Sequence, residues 1–235
     1  MITYSWRAGF DAGEEREVGE MLAAAASADA EAGFPAVSLS EPYPDDARHL
    51  VVRLLPDVRP GHEGSSPVAA YLRVETDPDG RAATVRYVVR PEFRSRGIST
   101  LLVETIGLDP GTWGGTGVSA LRIWARGDHP AAQRMARRFE SAGIRTARRE
   151  WQLLAPLRDS GSPDLSGLVS RLPGLAERVG PEISEAVWYD PREHGLRIAV
   201  DAEDRALART CRLLGFRHDR TDIEYTVGPV PAEVT

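Results

Sequence analysis

The sequence predicts a mixed α/β protein, a central mixed sheet flanked by helices. Three observations lead there. Short β-branched or alternating runs at residues 2–6, 49–55, 68–75, 85–89, 121–125 and 151–154 have the composition of strands. Two segments, Glu14 to Ala28 and Ser95 to Ile106, repeat apolar residues at helical spacing. Clusters of Gly, Pro, Asp and Ser separate these segments, so each is bounded by a turn.

In chain order, residues 2–6 form a first strand. The helix Glu14 to Ala28 buries Val18, Met21, Leu22 and Ala25 as a stripe. Gly33 to Asp46 holds Pro35, Pro42 and Pro44 and is predicted as loop. Strands His49 to Leu55 and Val68 to Glu75 follow, linked by the Pro-, Gly- and Ser-rich stretch Pro56 to Pro67. Asp77-Pro78-Asp79-Gly80 is a turn signal leading into Val85 to Val89. Pro91, which has no N–H for a ladder, ends that strand. A basic turn opens a helix near Ser95, with Ile98, Leu101, Leu102, Thr105 and Ile106 on one face. Asp109 to Ser119 is Gly-rich and expected to be flexible. Leu121 to Ala125 is a strand, and Asp128 is placed to cap a helix starting at His129-Pro130 and running to about Ser141, where Gly143 stops it. Trp151 to Leu154 forms a further strand closing at Pro156.

Composition narrows the function classes. Asp and Glu number 35 against 29 basic residues, a net charge of −6, which argues against a nucleic-acid binder that works by phosphate neutralisation. The chain has no lysine, so every basic side chain in those 29 is arginine. One cysteine, Cys211, rules out an internal disulfide and a cysteine-cluster metal site, and a reducing cytoplasm is the expected compartment. No apolar run has the length of a membrane span, and Met1 to Trp6 lacks the character of a signal peptide. The five histidines are scattered, and His62 has no second ligand nearby, so no metal is expected.

The segment Val85 to Ser99 carries the functional signal. A strand followed by Arg94-x-x-Gly97-x-Ser99 and a helix exposes several backbone N–H groups at the positive end of a helix dipole, a site for a diphosphate. Val89-x-Pro91 and Arg94-x-x-Gly97 resemble motif A of the GNAT acyltransferases, with Ser99 where that family has Gly or Ala. The resemblance implies the GNAT fold over residues 1 to 158 and acetyl-CoA as co-substrate. In such a site Tyr87, Val88 and Val89 offer backbone groups to the pantetheine arm. Arg94, Ser95, Arg96, Gly97, Ile98 and Ser99 hold the diphosphate, with Arg94 or Arg96 adding charge. A backbone N–H near Val89 would face the thioester oxygen.

Leu196 to Val200 repeats the pattern of Leu121 to Ala125, and each is followed by an acidic turn and a helix. The two helices end at Ala142-Gly143-Ile144 and at Leu214-Gly215-Phe216, and Asp222 to Val227 supplies a strand matching Trp151 to Leu154. The expected organisation is therefore a complete unit at 1–158, a linker with a short helix at 159–195, and a partial, degenerate second repeat at 196–235. Leu121 to Ala132 also resembles the first repeat of the mycothiol synthases, tandem GNAT proteins. The partial repeat lacks motif A, so one cofactor per chain is implied.

Many GNAT enzymes place a Tyr where this chain has Met135, and Cys211 is its counterpart in the partial repeat. Met135 cannot donate a proton, and Cys211 is expected to be a core residue. Glu75 and Glu41 are candidates to take the amine proton. The resemblance implies an N-acetyltransferase acting on a small-molecule or peptide amine, with no nucleic acid and no membrane as partner. A catalytically inactive acyl-CoA-binding protein of the same fold is the alternative. A third reading treats residues 160–235 as a structural or homodimer-forming appendage that covers the acceptor cleft.

Overall fold

The computed structural model describes residues 1–34, 44–55, 66–156, 187–190 and 193–229. By internal packing the chain divides into two units, Met1–Ala147 with Glu224–Thr235, and Arg148–Ile223.

The first unit opens with strand β1 (Ile2–Arg7) and helix α1 (Ala12–Glu31). Asp11 caps α1, its carboxylate accepting from the N–H groups of Gly13 and Glu14, both at 2.8 Å, and these bonds hold its pKa below the usual value. Strands β2 (Arg48–Leu54), β3 (Val68–Thr76) and β4 (Ala82–Val89) form an antiparallel meander with β1. Helix α2 (Ile98–Ile106) returns the chain to β5 (Ala120–Ala125), which lies parallel to β4. Helix α3 (Pro130–Arg138) leads to β6 (Ile144–Pro156). The strand order is β1-β2-β3-β4-β5, and the end of β9 (Arg217–Val227) lies next to β5. There Thr226 Oγ1 donates to the Leu121 carbonyl at 3.1 Å.

Side-chain alternation sorts the sheet into two faces. Val18, Met21 and Ala25 of α1 pack with Val51, Val68, Tyr71 and Val88 on one face. Tyr87, one residue out of phase with Val88, points to the other face and bonds Ser99 of α2. The stripe read from sequence is the buried one, save that Leu22 is only partly covered.

The second unit holds strands in the order β9-β6-β8-β7, where β7 is Val187–Asp190 and β8 is Gly195–Asp201. Helix α4 (Arg205–Leu213) sets Ala208 and Cys211 into a core with Leu153, Ile198, Val200 and Phe216. Cys211 is fully buried and its thiol is pushed up to about 11 by desolvation, in keeping with its reading as a core residue. Arg197 is also buried, held by Asp190 at 2.9 Å and Asp219 at 2.6 Å.

Several local expectations need correcting. Helix α2 begins at Ile98 rather than near Ser95, because Ser95 and Gly97 take positive φ values of 60° and 78°, which end any helix that includes them. His129, not Asp128, caps α3, its Nδ1 accepting from Ala131 N–H at 3.1 Å. Asp128 has φ 52° and instead accepts from the Gln133 amide at 2.7 Å. The Asp109 to Ser119 stretch is built around buried Trp113, whose indole N–H donates to the Gly107 carbonyl at 3.1 Å. Glu41, His62 and the helix expected at Leu168 to Val179 lie outside the described residues.

Candidate cofactor site

The site follows from a difference between the two flanks of β4. Toward β3, β4 is paired along its length, from Ala83↔Thr76 to Val89↔Ala70. Toward β5 the parallel ladder covers only Ala82↔Ala120 to Val85↔Ile123. Beyond Val85 the two strands separate. Arg90 N–H donates to the Ala69 carbonyl at 2.9 Å, which fixes the phase of the backbone. The even-numbered residues of β4 therefore turn their N–H and C=O toward β3, and Tyr87 and Val89 turn theirs to the flank without a partner strand.

The turn after β4 is a short 3-10 segment, Pro91–Phe93, followed by the two positive-φ residues Ser95 and Gly97. Left-handed residues in such a turn aim successive N–H groups to one side, the geometry of an anion nest. Leu101 N–H makes the first bond of α2, to the Gly97 carbonyl at 2.9 Å. The N–H groups of Ile98, Ser99 and Thr100 precede it and have no acceptor within the helix. A Cβ placed on Gly97 would meet nothing within 4 Å among the described residues.

The side chains around this frame hold one another. Tyr87 donates to Ser99 Oγ at 3.1 Å, and burial pushes the phenol up to about 12. Arg94 turns back toward the protein, its Nε donating to the Val89 carbonyl at 3.1 Å and its Nη1 to Asp29 Oδ1 at 2.5 Å. Arg96 is exposed, with its guanidinium over the Phe93 ring at 5.7 Å. Arg90 pairs with Glu92 at 3.3 Å. Thr100 Oγ1 donates to Met135 Sδ at 3.4 Å, so Met135 packs against the first turn of α2. The His129 ring packs on Phe34 with centroids 4.5 Å apart, and burial holds its pKa below 6.5.

Of the residues singled out from sequence, Tyr87 bonds Ser99 and Arg94 bonds the Val89 carbonyl, with Gly97 and Ile98 at the start of α2 and Ser95 and Arg96 exposed on the turn, whereas Val88 directs its side chain into the α1 core. Glu75 lies on β3 with its carboxylate between Arg73 at 2.5 Å and Arg86 at 3.2 Å. Cys211 belongs to the core of the second unit. Sequence reasoning missed Asp29, Phe34 and His129. Asp29 stands 65 residues from Arg94, and no local pattern signals such a pairing. Among the described residues no group of three or more His, Cys, Asp or Glu is placed to hold a metal ion.

The chemistry such a frame can do is the binding of an extended, polar ligand ending in a diphosphate. The free flank of β4 can take an added strand-like arm, and the N–H groups opening α2 can take the anion. No protein-family model matches the chain. It is 34% identical over 178 residues to the mycothiol acetyltransferase of Nocardia farcinica, a match covering 72% of this chain and 51% of that protein. The chain thus spans about half the length of the curated relatives it matches. Among solved structures, a tandem GNAT protein from the clavulanic acid biosynthesis pathway superposes with a TM-score of 0.55 at 13% identity, covering 99% of this chain and all 100% of that one. An N-acetyltransferase from Sphaerobacter thermophilus gives a TM-score of 0.54 at 16% identity, covering 99% and 98%.

Proposed function

Since the chain belongs to the GNAT N-acetyltransferase family, with distant homology to the mycothiol acetyltransferases, we propose that it transfers an acetyl group from acetyl-CoA to a primary amine. The observation that carries this reading is the one-sided pairing of β4 beyond Val85, next to a helix start whose N–H groups have no partner among the described residues. Acetyl-CoA supplies the activated acyl group, and the residues of the chain position it.

In this reading Tyr87 and Val89 present backbone groups to the pantetheine arm. The N–H groups of Ile98 and Ser99, reinforced by the α2 dipole, face the diphosphate. Arg96, exposed on the turn, adds positive charge there. A β4 N–H on the unpaired flank, that of Tyr87 or Val89, stabilises negative charge on the thioester oxygen. Met135 cannot protonate the leaving thiolate, so that proton comes from water or from the ammonium formed when the neutral amine attacks. Glu75 Oε2 accepts from Arg86 and Oε1 is ion-paired with Arg73, so Glu75 must give up one of these partners before taking the amine proton. The acceptor is an amine on a small molecule or a peptide.

Those last two features favour a second reading, a protein that binds acyl-CoA without turning it over. Release of free thiol from acetyl-CoA across a panel of amines separates the two. Amine-dependent release establishes the transferase, and binding of acetyl-CoA without release on any amine establishes the binding protein.

A further inference from the structure

Arg94 is the motif residue whose side chain would be expected on the diphosphate, yet two of its three nitrogens are engaged elsewhere. Nε is bonded to the Val89 carbonyl at 3.1 Å, and Nη1 is bonded to Asp29 near the end of α1 at 2.5 Å. The guanidinium is planar, so these two bonds together fix its orientation. Asp29 is 14% exposed and Arg94 30%, so the ion pair is partly shielded from water. The Val89 carbonyl is the last acceptor on the β4 flank that β5 leaves unpaired. With Arg94 on it, the groups still offered on that flank are the Tyr87 N–H and C=O and the Val89 N–H.

The same end of α1 also reaches the start of α3. Phe34 N–H donates to the Asp29 carbonyl at 2.8 Å, and the Phe34 ring lies against His129, the cap of α3 beyond β5. Asp29 and Arg94 are both close enough to His129 to act on it electrostatically.

We infer that Arg94 is a positioning residue, which closes the free flank of β4 at Val89 and ties it to α1, and that its side chain is not a diphosphate ligand. The inference rests on the proposed use of that flank by the pantetheine arm. Arg94 then sets where a strand-like ligand arm can begin pairing, and it acts through the Val89 peptide.

The test measures binding of two probes to the full chain and its variants: coenzyme A, and its nucleotide half without the pantetheine arm. Arg94→Ala is expected to weaken coenzyme A about tenfold, the scale of one charge-assisted hydrogen bond, and to leave the nucleotide half within about twofold. Asp29→Asn keeps a bond to Arg94 but loses the charge, and is expected to shift coenzyme A alone, by a smaller factor. It also covers the case in which Arg94→Ala fails to fold. Equal weakening of both probes, or no weakening of either, overturns the inference and leaves the site itself standing. A wild-type chain that binds neither probe overturns the cofactor site and the inference with it.

Discussion

The Tyr87 hydroxyl donates to Ser99 Oγ at 3.1 Å, joining the free end of β4 to the first turn of α2. Ser99 stands where the GNAT motif has Gly or Ala, and this bond gives its hydroxyl a structural use. Ser99→Ala should cost about 1 kcal/mol by leaving the Tyr87 hydroxyl short of a partner, and coenzyme A affinity should change by less than about twofold. Chemical denaturation and a binding titration check both. A large loss of affinity would mean that the hydroxyl serves the ligand instead.

Desolvation raises the Tyr87 phenol from 10 to about 12, so the folded state favours the neutral form. Between those two values the unfolded chain loses the proton first, and stability falls as pH rises above 10. Tyr87→Phe should flatten that decline. The measurement is the denaturation midpoint across alkaline pH for both proteins.

The histidines act in the opposite range. Burial lowers the pKa of both His49 and His129 below 6.5. His49 Nδ1 lies 2.6 Å from the Tyr71 hydroxyl, and His129 Nδ1 accepts from Ala131 N–H. Both are favoured neutral in the fold. As pH falls below 6.5 the unfolded chain binds the protons first, so stability declines, and it is complete above that value. His129→Asn keeps a capping side chain without the charge and should weaken the acid dependence. An unchanged pH profile in that variant would place the effect on His49 alone.

Gly97 holds φ 78° where a side chain is strained, and its Cβ would stand in the open space before α2. Gly97→Ala should cost about 1 kcal/mol of stability, and a further loss should appear in coenzyme A affinity. Equal behaviour of both readouts would make the glycine a purely conformational requirement.

How far the sequence reaches can be seen element by element. The β4 strand, the turn and α2 were legible because their signals are local: alternation, a proline, small residues and an amphipathic stripe. The start of α2 was misplaced by three residues, since the left-handed state of Ser95 leaves no trace in composition. The parting of β4 from β5 was not legible at all, because a ladder ends through pairing between residues about 38 apart in sequence. Nor was the strand Val187–Asp190, or the return of the β9 end to β5, where Thr226 meets Leu121 across 105 residues. The direction of Arg94 depended on Asp29, 65 residues away in the chain.

The return of β9 has its own consequence. Ending the chain at Ile223 removes the strand segment beside β5 and the buried Thr226 bond. The shortened protein should lose cooperative unfolding or aggregate, because β5 becomes an open edge. Circular dichroism melting and size-exclusion chromatography read this directly, and an unchanged, monodisperse product would show that the segment is dispensable.

The cofactor reading is tested most directly by residue-resolved amide hydrogen exchange with and without coenzyme A. The N–H groups of Tyr87, Val89, Ile98 and Ser99 should each slow by about tenfold or more when the ligand is bound, as N–H groups taken up by a partner do. Protection confined to other segments, with these four amides exchanging as before, would contradict the placement of the ligand along β4 and at the start of α2.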